Sequence, residues 1–130
     1  MKENFEKVKD YLHSSGYLIT HEDEAEELVV IQDEENGITG MVIDCEEPIL
    51  IIEQVIMGTP VNNKESFYET LLKINRNLVH GAFVLDESGS KVIYRDTLQL
   101  ESLDHNELDA SINSLTLALA ENANQLLNYK

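Results

Sequence analysis

Four histidines, one cysteine and one tight acidic turn are the places where this 130-residue chain offers residue types able to do chemistry. His13, His21, His80 and His105 stand far apart and show no metal-site spacing, so they read as surface or boundary residues. Cys45 has Asp44, Glu46 and Glu47 beside it, and nothing in that neighbourhood lowers a thiol pKa. It reads as a small apolar filler at a strand end. The turn Asp33-Glu34-Glu35-Asn36-Gly37 is rich in oxygen ligands. A calcium-binding EF-hand loop, however, needs ligands at alternate positions with glycine sixth, and here glycine is fifth. A solvated hairpin tip accounts for it. Glycine-rich dinucleotide and phosphate loops are missing, as is the nucleophile elbow of hydrolases. The residues point to a binding protein that is not an enzyme and has no catalytic, metal or cofactor site.

Charge narrows the class of partner. Nine Lys and Arg stand against 25 Asp and Glu, a formal net charge of −16. Phosphate backbones and anionic lipid repel such a chain, which argues against nucleic acid and membrane surfaces as partners. The imbalance is also local: from Asp10 to Asn63 there is no Lys or Arg, while 13 Asp and Glu fall in that span. Surface charge of this kind ordinarily serves solubility; the sharper reading is that one face repels acidic proteins and attracts basic ones. A lone cysteine excludes an internal disulfide and fits a reducing cytoplasm. The N-terminus MKENFEKVKDY has no apolar signal region. No apolar run approaches the roughly 20 residues that cross a bilayer. A soluble cytoplasmic protein of one domain, residues 1–130, is the expectation.

The elements that must position these residues follow from periodicity. Met1, Phe5, Val8 and Leu12 share a narrow arc at helical spacing, with Tyr11 at its edge, and predict a helix over 2–14 closed by Ser14-Ser15-Gly16. Strands are predicted over 17–20, 27–32, 39–44 and 49–57. Asn36-Gly37 marks a hairpin, and Glu46-Glu47-Pro48 the next turn. Connections this short force antiparallel pairing. Ile49 to Ile52 is apolar on both faces, so that half of its strand should be covered on both sides. Gly58-Thr59-Pro60 stops the sheet, and Asn62 with Glu65 fits a capping box opening a second helix near Asn63. A strand at 82–85, a turn at 86–89 and strand segments at 91–95 and 97–100 come next. Asp104 with Glu107 caps a last helix over about 105–128, whose core stripe is Leu108, Ile112, Leu115, Leu119 and Leu126. The fold class is α+β: one antiparallel sheet, an N-terminal meander plus a C-terminal hairpin, packed with three helices.

The second helix has one apolar stripe more than a helix on a single sheet needs. Phe67, Leu71, Ile74 and Leu78 form the first stripe, and Tyr68, Leu72 and Val79 a second about 100° away. That second stripe must meet another element or another subunit. With Val92 and Tyr94 of the following hairpin it forms the candidate interface of a homodimer. Val55, Met57 and Leu117, with Tyr68 and Leu72, have the least obvious core duty and are candidate contacts for a bound protein.

The order of elements resembles the type III secretion chaperone superfamily, the Tir chaperone-like (CesT) group, in its uncharacterised bacterial branch that borders the YbjN-like proteins. The residues carrying the likeness are Val42-Ile43-Asp44-Cys45 with Pro48-Ile49-Leu50, and Glu53-Gln54 to Met57. They continue through Leu71 to Arg76, Leu78 to Asp86, Arg95 to Leu98 and Leu115 to Glu121. The segment Asn75…Gly81-Ala82-Phe83 is the most specific among them. The resemblance implies a non-enzymatic, ATP-independent, homodimeric chaperone. Such a protein holds an extended segment of a client on apolar patches, with strand addition at a sheet edge as one mode. It also implies dimerisation through the second helix and adjoining strands. A YbjN-like regulatory module acting on a folded partner is the competing expectation, and a small-ligand binder with a polar-lined pocket is a third.

Overall fold

The computed structural model describes residues 2–129. The chain runs α1 (Lys2–Ser14), β1 (Leu18–Asp23), β2 (Leu28–Asp33), β3 (Ile38–Glu46), β4 (Ile49–Gly58), α2 (Lys64–Asn77), β5 (Ala82–Leu85), β6 (Lys91–Gln99) and α3 (His105–Leu127). The six strands form one sheet in the order β1-β2-β3-β4-β6-β5, every pair antiparallel. The α+β class, the meander and the hairpin are as the sequence predicts. β6 replaces the two short segments with one strand, and it, rather than β5, pairs with β4.

Period-2 alternation decides which side of the sheet is core. Val29 and Ile31, Met41, Ile43 and Cys45, Leu50 and Ile52, Phe83, and Val92 and Tyr94 are all buried. Side chains two apart point to one face, so these residues define a single covered face. Phe5, Val8 and Leu12 of α1, Phe67, Leu71 and Ile74 of α2, and Leu108, Ile112, Leu115 and Leu126 of α3 join them in one core. The predicted stripes thus reach the core, with Leu78 and Leu119 packed against it from partly exposed positions. Met1, the remaining member of the α1 stripe, lies outside the described residues.

Two local expectations change and a third is met. The turn before β3 is a single 3-10 turn, Glu34–Asn36, with only Gly37 in the left-handed region at φ 77°. The capping box predicted at Asn62 does not form: Asn63 precedes α2 at φ 62° with no side-chain cap bond. The box at Asp104 does form, with both reciprocal hydrogen bonds between Asp104 and Glu107. A side-chain cap requires extended backbone at the cap residue, which Asp104 has at φ −115° and Asn63 lacks.

The segment from α2 into β5 is locked by two devices. The Asn75 side chain donates to the Phe83 carbonyl at 3.0 Å and accepts from the Phe83 N–H at 2.8 Å, tying α2 to the sheet edge. Gly81 sits at φ +73°, and a Cβ there would fall 2.5 Å from the Tyr94 hydroxyl oxygen. Only glycine lets the chain pass so close to Tyr94, whose hydroxyl donates to the Ser111 carbonyl at 2.6 Å. Burial, the larger effect, pushes the Tyr94 phenol up to about 12.

Candidate functional site

Because all three helices contribute to the core on one side, the opposite face of the sheet carries no helix among the described residues. Val30 of β2, Val42 of β3, Ile49, Ile51 and Val55 of β4, and Val84 and Ile93 of the β5–β6 hairpin lie on it, none of them buried. The register places them in rows: Val30 opposite Val42, and Val55 opposite Ile93, which is opposite Val84. Glu53 and Arg95 continue the Val30–Val42 row across β4 and β6 as an ion pair. Val55 is exposed and the other six apolar residues are half-buried; clustered apolar surface of this kind marks interaction sites in soluble proteins. The expectation that Ile49–Ile52 is covered on both sides is not met within this chain. Leu50 and Ile52 meet the helices, while Ile49 and Ile51 are left to something else.

Asp44 interrupts the apolar rows. Its lateral neighbours are Leu28 on β2 and Ile51 on β4. Its Oδ1 is buried and has no hydrogen-bond partner among the described residues. Desolvation foremost, then the side-chain hydrogen bond and charge of Glu46 two residues along the same strand face, pushes the carboxyl up to about 6. By contrast Gln54, on the covered face, is fully employed: it accepts from Thr39 N–H at 3.1 Å and donates to the Gly37 carbonyl at 3.0 Å.

The predicted site residues scatter. Val92 and Tyr94 are fully buried inside this chain, so they cannot form a subunit interface. The hairpin shows its alternate residues, Ile93 and Arg95, to the outside. Leu72 is 70% exposed and Val79 81% exposed, but α2 ends at Asn77, so Val79 lies on the following loop and not on a helical stripe. Tyr68 is half-buried against the core edge. The candidate client contacts fall in three places. Val55, 55% exposed, lies on the open sheet face. Met57 lines an apolar groove of about 550 Å³ with Ile56, Val61, Leu119 and Leu126, where the end of β4 meets the end of α3. Leu117, 52% exposed, lines a smaller cleft together with Val79. Val30, Val42, Ile51 and Asp44 are not among the contact residues expected from the sequence, although the two-faced apolar run at Ile49–Ile52 is the signal for them.

The residues considered for chemistry stay apart. Cys45 is buried and its thiol is pushed up to about 12, mainly by desolvation and then by Glu27 and Asp44. Its character is that of a filler. His105 stacks on Tyr11 and lies 2.6 Å from the Ser15 hydroxyl, which donates to Asp109, so it ties α1 to α3. Among the described residues no cluster of His, Cys, Asp and Glu has the arrangement to hold a metal ion. No helix among them is long and apolar enough to cross a membrane.

A six-stranded antiparallel sheet backed on one side by three helices, with apolar residues on its other face, defines the class as an α+β protein. The chain belongs to the CesT_Tir_1 family, whose family model matches residues 1–130. No curated protein sequence matches it significantly. Among solved structures it is similar to a chain of the HopA1-SchA chaperone-effector complex, with TM-score 0.64 and 13% identity over 92% of this chain and 95% of that one. YbjN from E. coli superposes with TM-score 0.68 and 12% identity over 92% and 91% of the two chains. An uncharacterized protein from Methanothermobacter thermautotrophicus gives TM-score 0.68 and 14% identity over 98% and 99%. At these identities the likeness is one of fold.

Proposed function

We propose that the protein is a non-enzymatic, ATP-independent chaperone-like protein that holds an extended or partly unfolded segment of a client protein. The observation that carries this reading is the bare sheet face around Val30, Val42, Ile51 and Ile93. An apolar surface left open by the fold gains about 25 cal/mol for each Å² that a partner covers. Membership of the CesT_Tir_1 family and the fold shared with a chaperone-effector complex support it. The exposed apolar surface favours a client segment over the polar contact expected of a regulator docking on a folded partner.

The protein acts as a homodimer in this reading, with the outward side of α2 as the contact. Leu72 and the cleft holding Val79 and Leu117 supply apolar area outside the open sheet face. Co-purification from the native host tests the function. Wild-type protein recovers a partner through a segment that is protease-sensitive when free, and an Ile51→Lys variant with an unchanged melting temperature does not. Equal recovery by both proteins contradicts the reading.

A further inference from the structure

On the open face, charge is as unevenly distributed as in the sequence. Asp44 and Glu46 project from β3, and the strands β1 to β4 contain no lysine or arginine to meet them. Arg95, on β6, is engaged with Glu53. Asp44 is bordered by Leu28, Ile51 and Val42, so a carboxylate stands inside an apolar surface with one oxygen unpaired. A group so placed is costly until a partner supplies a donor, and a charge-assisted bond made there as water is excluded is worth more than one in solvent. A second copy of this chain is a poor supplier, since pairing two open faces brings acidic strands against acidic strands. The complementary occupant has apolar side chains surrounding a cation.

We propose that the client segment seated on the open face is recognised through a lysine or arginine that docks on the Asp44–Glu46 carboxylates, flanked by apolar side chains that cover Ile51 and Val42. This rests on the chaperone-like reading above and specifies its partner. The cation fixes register along a face whose apolar rows alone would let a segment slide. It also selects basic-apolar segments over purely apolar ones.

Two synthetic peptides of identical composition test it. Both alternate valine and threonine with soluble flanks; one carries its single lysine centrally on the valine side, the other in the C-terminal flank. Equal net charge removes the general attraction to an acidic chain. Fluorescence anisotropy is expected to show the central-lysine peptide binding wild-type protein about ten-fold more tightly, a typical energy for one charged hydrogen bond. Asp44→Asn and Glu46→Gln, each checked for an unchanged fold by circular dichroism, should reduce that preference to near unity while leaving the flank-lysine peptide's affinity as it was. Equal affinities of the two peptides for wild-type protein overturn the anchor and leave the client-binding face intact. Binding of neither peptide overturns both. If Ile51→Lys converts a wild-type dimer to monomer in sedimentation, the face belongs to a second copy and the proposal is wrong.

Discussion

Burial of the Asp44 carboxyl beside Glu46 makes the folded chain hold a proton that the unfolded chain releases at lower pH. Its folded pKa is about 6 against an ordinary 3.8, a raised acid. Between those values the folded state binds more protons than the unfolded one, so this group's contribution to stability falls as pH rises through the window. Asp44→Asn removes the penalty. In urea melts the variant should be more stable than wild type at pH 7.5, by on the order of 1 kcal/mol after discounting for solvent access. The two should converge near pH 4. A variant equally or less stable at both pH values would show that Asp44 is already satisfied. Gly81 answers to sterics instead. Gly81→Ala combines positive φ with a Cβ 2.5 Å from the Tyr94 hydroxyl, and should cost about 2–4 kcal/mol by the same measurement. This position was legible in sequence as part of the Asn75…Gly81-Ala82-Phe83 segment, but its reason was not, because the Tyr94 ring arrives from 13 residues later.

At the scale of elements, the two helix starts differ in a way their sequences hide. Asn62…Glu65 and Asp104…Glu107 are equally good capping boxes on paper, yet only the second forms. Asp104→Ala should therefore cost about 1 kcal/mol, whereas Asn63→Gly, at a left-handed position without a side-chain bond, should change stability by less than about 0.5 kcal/mol. Thermal melts of the two variants separate the cases. Asn75→Ala strips both bonds from the Phe83 peptide group, and should cost about 2–3 kcal/mol and loosen the β5 edge in hydrogen exchange. Helices and strands themselves were readable because their apolar periods are long and clean. The phase of the hairpin was not. Val92 and Tyr94 alternate with Ile93 and Arg95, and either set suits a half-covered strand until α3 is seen to claim the first. The same ambiguity hid the open face, since a run apolar on both sides, Ile49 to Ile52, does not say which side its own chain covers.

Taken as a whole, the molecule puts its core on one side of the sheet and leaves the other side apolar but punctuated by charge. The proposed dimer contact and the proposed client contact then lie on different surfaces. Leu72→Asp should turn a wild-type dimer into a monomer in sedimentation, with little change in melting temperature because Leu72 is exposed. Ile51→Lys should leave the dimer whole. The measurement that bears most directly on the central claim is site-specific photo-crosslinking in the native host. A photoreactive residue is introduced at Ile51 on the open face and, separately, at Leu72. The probe at Ile51 should capture a segment of another protein, mapped to a stretch that is protease-sensitive when free, while the probe at Leu72 should capture a second copy of this chain. If the probe at Ile51 links only to a second copy of this chain, or the client adducts form at Leu72 alone, the open face is not where a client is held.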